Sequence, residues 1–166
     1  MSITKKSIYS IEDIGADLLL LTREHYFQCN AYSKTSLDYR KIIAQDNDYD
    51  CTNESYAICI NDNPVVTLIG AKSKREEITN VDAYSGRPCL VLLNHDKTSA
   101  KINSLFFKEL DSLLEDVNGV FRYRDPLLNG CISSVTKHIL LMGGSVTQSY
   151  TQVIDLETNE IELKKS

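Results

Sequence analysis

The stretch from Arg87 to Arg124 constrains the fold more than any other part of the chain. Arg87-Pro88-Cys89-Leu90-Val91-Leu92-Leu93 is apolar on both of its strand faces, as an inner strand of a covered sheet requires. Ile102, Leu105, Phe106, Leu110, Leu113, Leu114 and Val117 then fall at spacings of three and four, which puts them on one helical face. Thr98 or Ser99 caps the start of that helix and Asn118-Gly119 supplies its stop. Val120-Phe121-Arg122-Tyr123-Arg124 reads as the next strand, ended by Asp125-Pro126. A helical crossover between strands implies parallel neighbours in one sheet.

The flanking segments fill in an α/β layered domain with a mixed sheet. Tyr56-Ala57-Ile58-Cys59-Ile60 and Val65-Val66-Thr67-Leu68-Ile69 flank Asn61-Asp62-Asn63-Pro64, which predicts an antiparallel β-hairpin. Gly70-Ala71-Lys72 leads into a charged segment, Lys72 to Glu77, expected to be a strand exit and solvated loop. Upstream, Ser10 to Ile43 reads as helical, with Ser10 ahead of Glu12-Asp13 as a start signal. Leu18 to Leu21 is apolar on every side, so a buried turn is expected there. A second helical piece begins at Ser36, with Leu37, Ile42 and Ile43 on one face, and Gln45 to Glu54 is a loop by composition. Downstream, a short helix spans about Ser133 to Met142 and is closed by Gly143-Gly144. Gln148 to Leu156 is expected to be a final strand, and Glu157 to Ser166 the charged first turns of a helix.

A chain of 166 residues, 42% hydrophobic and 25% charged, suits one domain with its own core. Normal apolar content and a net charge of −5 argue against disorder. No apolar run approaches the roughly 20 residues of a membrane span. The basic start, Met1 to Lys6, lacks the apolar stretch of a secretory signal. The acidic balance argues against general nucleic-acid binding. Cys29, Cys51, Cys59, Cys89 and Cys131 are odd in number and lack the spacing of a zinc site or redox dithiol, which points to a reducing, cytoplasmic location. Cys59, Cys89 and Cys131 read as small buried hydrophobes.

Chemistry has two favoured places in such a sheet. The loop Asn94-His95-Asp96-Lys97-Thr98-Ser99 lies between the inner strand and the long helix. Its N–H groups and Lys97 suit an anion, although it lacks the glycine that lets backbone approach a phosphate, and a plain capped loop is the other reading. On the strand Val120 to Arg124, alternation puts Phe121 and Tyr123 on one face and Arg122 and Arg124 on the other. Two arginines on one face of an inner strand need carboxylates or a cleft, so they make either an internal salt bridge or a substrate carboxylate or phosphate site. His95 beside Asp96 suits acid–base work. His25 and Cys29, four apart, share a helical face but have no orienting third group. His138 reads as a surface or capping residue, and Lys72, Lys74 and Arg75 are balanced by Glu76 and Glu77.

Three segments together resemble the Fem-type peptidyltransferases. Tyr26-Phe27-Gln28-Cys29-Asn30-Ala31-Tyr32 is similar to an early F-Q-S-x-x-W/Y element, with Cys29 where Ser is usual and Tyr32 where Trp is common. Phe121-Arg122-Tyr123-Arg124-Asp125 resembles a strand ending in Arg-Asp. Met142-Gly143-Gly144, Thr151-Gln152-Val153-Ile154-Asp155-Leu156 and Leu163-Lys164-Lys165-Ser166 resemble the close of the first lobe. The resemblance implies one GNAT-like (acyl-CoA N-acyltransferase-like) domain over residues 1–166, a mixed sheet with helices on both faces.

It also implies acyl or aminoacyl transfer to an amine, in cell-envelope or polysaccharide precursor modification, achieved by positioning substrates. Tyr32, His95, Lys97, Arg122 and Arg124 are the residues expected to meet substrate. The implied partners are a second-lobe polypeptide or second copy, a small-molecule, peptide or sugar-nucleotide substrate, and aminoacyl-tRNA. Alternatives are a stand-alone N-acetyltransferase that takes acetyl-CoA or another acyl-CoA through a degenerate loop, and a non-catalytic binding or scaffold lobe.

Overall fold

The computed structural model describes residues 2–25, 29–94, 97–124 and 132–145, the side chains of 21–25 and 29 aside. Its strands are β1 (Ile3–Ser7), β2 (Asp50–Asn53), β3 (Tyr56–Ile60), β4 (Asn63–Ile69), β5 (Ala71–Arg75), β6 (Ile78–Asp82), β7 (Cys89–Leu93) and β8 (Tyr123–Arg124). Its α-helices are α1 (Ala16–His25), α2 (Lys34–Asp46), α3 (Ala100–Leu114) and α4 (Ser134–Leu141). A five-stranded mixed sheet runs β1-β3-β4-β7-β8, and a three-stranded antiparallel sheet runs β2-β5-β6. β7 and β8 are parallel, with Cys89 opposite Tyr123 and Leu90 opposite Arg124, so α3 is the crossover that the sequence implied.

Side-chain alternation on the larger sheet divides the core in two. Ala57, Cys59, Ile69, Leu90 and Leu92 pack with Leu18 of α1 and Leu37 and Ala44 of α2. Ile58, Val66, Leu68, Val91 and Leu93 pack on the other face with Ile102, Phe106, Leu110 and Leu113 of α3 and Val135 of α4. Helices therefore cover both faces, and β7 is buried along its whole length. Each of these large side chains contributes about 1.5–3 kcal/mol by leaving water. Cys59 and Cys89 are buried among apolar neighbours, as expected, and so is Cys51. Cys131 lies outside the described residues.

The hairpin of β3 and β4 forms with a tighter turn than expected. Asn61 and Asp62 alone make it, with φ of 46° and 67°, the left-handed conformation that Asn and Asp tolerate. Pro64 falls inside β4, opposite Cys59, next to a register shift at Ile58/Cys59.

Four further expectations are corrected. The polar stretch Gln45 to Glu54 contains β2, and the charged stretch Lys72 to Glu77 contains most of β5, which pairs with both β2 and β6. Neither has strand-like composition on its own; both form by continuing β3 and β4 into the second sheet. In α2 it is Ala44 that joins Leu37 in the core, while Ile42 is 55% exposed. On α1, Leu18 is buried but Leu20 is 55% exposed, because the helix lies on the sheet with one face only.

The continuation from sheet to sheet bends at Gly70. The Ser55 hydroxyl accepts from the Gly70 N–H and donates to the Gly70 carbonyl, both at 3.0 Å. That carbonyl also accepts from the Glu54 N–H at 3.0 Å. A Cβ at Gly70 would sit 2.5 Å from the Cys89 sulfur, so only glycine lets β7 approach the bend.

The helix signals are well matched. Ser99 caps α3 by accepting from the Ile102 N–H, and Ser133 caps α4 through Thr136. α2 starts two residues earlier than expected, at Lys34, because Ser33 caps it. Ser10 and Asp13 form a reciprocal capping box, but on a 3-10 turn (Ile11–Asp13) ahead of α1. Asn118 does more than stop α3: it accepts from Thr79 N–H at 2.8 Å and donates to the Glu77 carbonyl at 2.6 Å, docking the helix exit on β6. The expected strand at Gln148 to Leu156 lies outside the described residues.

Candidate functional site

Between β6 and β7 the chain makes a tight excursion whose next residues, Tyr84, Ser85 and Gly86, have φ of 62°, 51° and 77°. Tyr84 is 1% exposed, so a bulky residue is held left-handed inside the core, a conformation that costs on the order of 1–3 kcal/mol and clusters at functional sites. The turn is tied by Ala83 N–H to the Arg87 carbonyl at 2.6 Å, Arg87 N–H to the Tyr84 carbonyl at 3.2 Å, and Gly86 N–H to Asp82 Oδ2 at 3.0 Å. It presents Arg87 beside the segment 120–124.

That segment links the two sheets. Val81 N–H donates to the Val120 carbonyl and Arg122 N–H to the Val81 carbonyl, both at 3.0 Å, while Cys89 N–H donates to the Arg122 carbonyl at 2.7 Å. The strand expected over Val120 to Arg124 is thus shortened to β8, with a lone bridge from Phe121 to Val81, because β6 and β7 diverge at the Ala83–Pro88 excursion. The expected alternation holds. Phe121 and Tyr123 stack at 6.4 Å and pack on the α3 face. Arg122 Nη1 lies 3.9 Å from Asp82 Oδ2, and the charge of Arg124 acts on Tyr32 from the opposite face.

Tyr32, at the end of the 3-10 turn Cys29–Tyr32, is the centre of the cluster. It is 3% exposed, and its hydroxyl donates to the Pro88 carbonyl at 2.8 Å. The Arg87 guanidinium lies 5.9 Å from its ring centroid, within cation–π range. Burial pushes the phenol up to about 12, against the opposing charges of Arg124, Arg87 and Arg40. Tyr32 therefore stays protonated at neutral pH and acts as a donor. Burial, then the like charge of Arg87, pushes the Arg40 guanidinium of α2 below its usual range.

Asp82 is the acid of the cluster. Its carboxyl is 4% exposed and is raised above the usual carboxylate range by burial, opposed by the Gly86 N–H, Arg122 and Ser73. Among the described residues, Arg122 meets Asp82, while Arg40 and Arg87 lie close enough to act on each other and on Tyr32. Arg87 Nε is buried with no hydrogen-bond partner among the described residues. The arrangement suits a planar anion, which a guanidinium fork meets with two parallel bonds.

Of the expected site residues, the structure places Arg124 where its charge reaches Tyr32 and Arg122 at Asp82, and it separates Lys97 from them. Lys97 follows the far end of β7, about 13 Å along the strand from Cys89 at 3.3 Å per residue. There it pairs with Asp17 of α1. The Asn94 carbonyl accepts from Lys97 N–H, Thr98 N–H and Thr98 Oγ1, closing the loop as a capped turn. His95, like Asp96, lies outside the described residues, as do the side chains of His25 and Cys29. Arg40 and Arg87 were not singled out from sequence: an arginine on a helix and one before Pro88 carry no signal until the turn and α2 converge.

His138 is partly exposed, as the surface reading expected, but it is also engaged. Its Nε2 lies 2.7 Å from Asp111 Oδ1 and its ring stacks on Phe107 at 4.4 Å, which staples α4 to α3. The charged turn after β5 is partly engaged as well: Arg75 lies 5.6 Å from the Tyr49 ring centroid, and Lys72 is 4.0 Å from Asp116. Among the described residues, no group of three His, Cys, Asp or Glu could hold a metal ion, and no helix is long and apolar enough to cross a membrane. Comparison of the chain with protein-family models, with curated proteins and with solved structures finds no match.

Proposed function

We propose that this chain is a GNAT-like lobe of Fem type that takes part in transferring an acyl or aminoacyl group to an amine. The observation that carries the reading is the parallel β7–β8 pair joined by α3. It stands in a fixed order: a first strand, α1 and α2 on one face, an antiparallel meander, the α3 crossover, and α4. The resemblance of Phe121 to Asp125 to the Arg-Asp strand of Fem-type proteins supports the same reading, since its described residues include Arg124, whose charge acts on Tyr32.

The chemistry asked of such a lobe is mostly positioning. An amine must be held against an acyl carbonyl, and orientation alone supplies much of the rate. Tyr32, fixed by Pro88, offers a rigid wall, and the arginines supply a charged anchor. Thermal unfolding with acetyl-CoA, and with an aminoacyl-tRNA, tests the reading. A donor at a hundredfold excess over Kd stabilises by about 2.7 kcal/mol. A shift with either donor is expected; no shift with both at millimolar and micromolar concentrations respectively overturns it.

A further inference from the structure

We propose that Arg40 and Arg87, beside Tyr32, form a docking point for a carboxylate or phosphate group. Assigning that group to the amine-bearing acceptor rests on the transferase reading; the anion site itself does not.

The first argument is charge. Asp82, the acid within the cluster, already accepts from the Gly86 N–H at 3.0 Å and the Ser73 hydroxyl at 3.5 Å, and lies 3.9 Å from Arg122. It leaves Arg40 and Arg87 without a carboxylate within 4.0 Å among the described residues. Arg40 on α2 and Arg87 on the turn before β7 repel each other, and an anion between them reverses the sign of that interaction. Burial first, and the like charge of Arg87 second, lower the Arg40 guanidinium.

The second argument is the orphan donor. Arg87 Nε is buried and lacks a partner among the described residues, although a buried N–H almost always has one. A guanidinium offers Nε–H and one Nη–H as a fork, and a planar or tetrahedral oxyanion accepts from both.

The third argument is rigidity. The Tyr32 ring against which Arg87 lies is held by its bond to Pro88, and the Arg87 backbone is held at both its N–H and its carbonyl by the turn. An anchor fixed before binding loses little freedom on binding.

The test follows the Arg87 Nε–Hε signal by NMR in 15N-labelled protein. The chain is titrated with inorganic phosphate and, separately, with succinate, against sodium chloride at matched ionic strength. A saturable shift with phosphate or succinate is expected, absent with chloride, and the tighter arm names the group. Arg87→Lys keeps the charge but loses the fork, and should weaken binding about tenfold. Arg40→Gln, on the half-buried face of α2, should weaken it similarly and serves if Arg87→Lys does not fold.

No saturable shift in either arm overturns the site, as does equal binding by both variants and wild type. Anion binding in a chain that takes no acyl donor overturns the transferase reading alone. Donor binding without anion binding overturns the anion site alone.

Discussion

The Arg87 guanidinium lies 5.9 Å from the ring centroid of Tyr32, and the Tyr32 hydroxyl donates to the carbonyl of Pro88, the residue that follows Arg87. The contact joins the end of a 3-10 turn to the strained turn before β7, and so sets where the cluster of arginines sits. Tyr32→Phe keeps the ring and removes the hydrogen bond. A loss of about 0.5–1.5 kcal/mol in urea unfolding is expected, with the Arg87 Nε–Hε signal displaced. Unchanged stability and an unmoved signal would show that the hydroxyl does not fix the ring.

Asp82 gives the cluster a pH signature. Its folded-state value is raised by burial, so the protonated form is favoured on folding. The contribution of Asp82 is therefore fully present below its unfolded value, about 3.9, and is lost as pH rises through the higher folded value. The stability difference between wild type and Asp82→Asn should fall as pH rises from about 4. Chemical unfolding of both proteins across the acid range measures it. A difference that rises with pH would mean that Arg122 outweighs burial.

Gly70 and Cys89 make a steric pair. Gly70→Ala places a methyl 2.5 Å from the Cys89 sulfur, in a region with no free space. A loss of about 1–3 kcal/mol is expected. Cys89→Ala removes that sulfur, so the double variant should recover part of the loss, a coupling read from a double-mutant cycle. Strict additivity would count against the close approach.

Ser55 makes the bend polar where it must be. Ser55→Ala removes the acceptor of the Gly70 N–H, leaving a buried donor unmatched at about 1–3 kcal/mol. Hydrogen exchange at Gly70 should accelerate more than exchange at the start of β1, where Ile3 lies opposite Ile60 at the end of β3 remote from Ser55. Equal acceleration at both would point to global destabilisation.

The layering was legible in the sequence because burial writes itself into periodicity. Ile102, Phe106, Leu110 and Leu113 announced both α3 and its buried face, and the run from Cys89 to Leu93 announced an inner strand. β2 was not legible. In Asp50-Cys51-Thr52-Asn53 only Cys51 is buried, and the strand exists through its pairing with β5. β5 is hidden for the same reason, since Ala71 and Ser73 face inward while Lys74 and Arg75 reach water. For the site, the shared face of Arg122 and Arg124 followed from alternation alone. Arg40, Arg87 and Asp82 did not, because their meeting depends on a left-handed turn at Tyr84 that no residue type there announces.

The most direct measurement of the proposed activity is product detection. The purified chain is incubated with an amine that also carries a carboxylate or phosphate, with acetyl-CoA or aminoacyl-tRNA as donor, and the amine is weighed by mass spectrometry. The expected result is an N-acylated product from one donor, reduced about tenfold in Arg87→Lys, in line with the loss of the bidentate fork. An amine that stays unmodified with both donors would contradict the transferase reading.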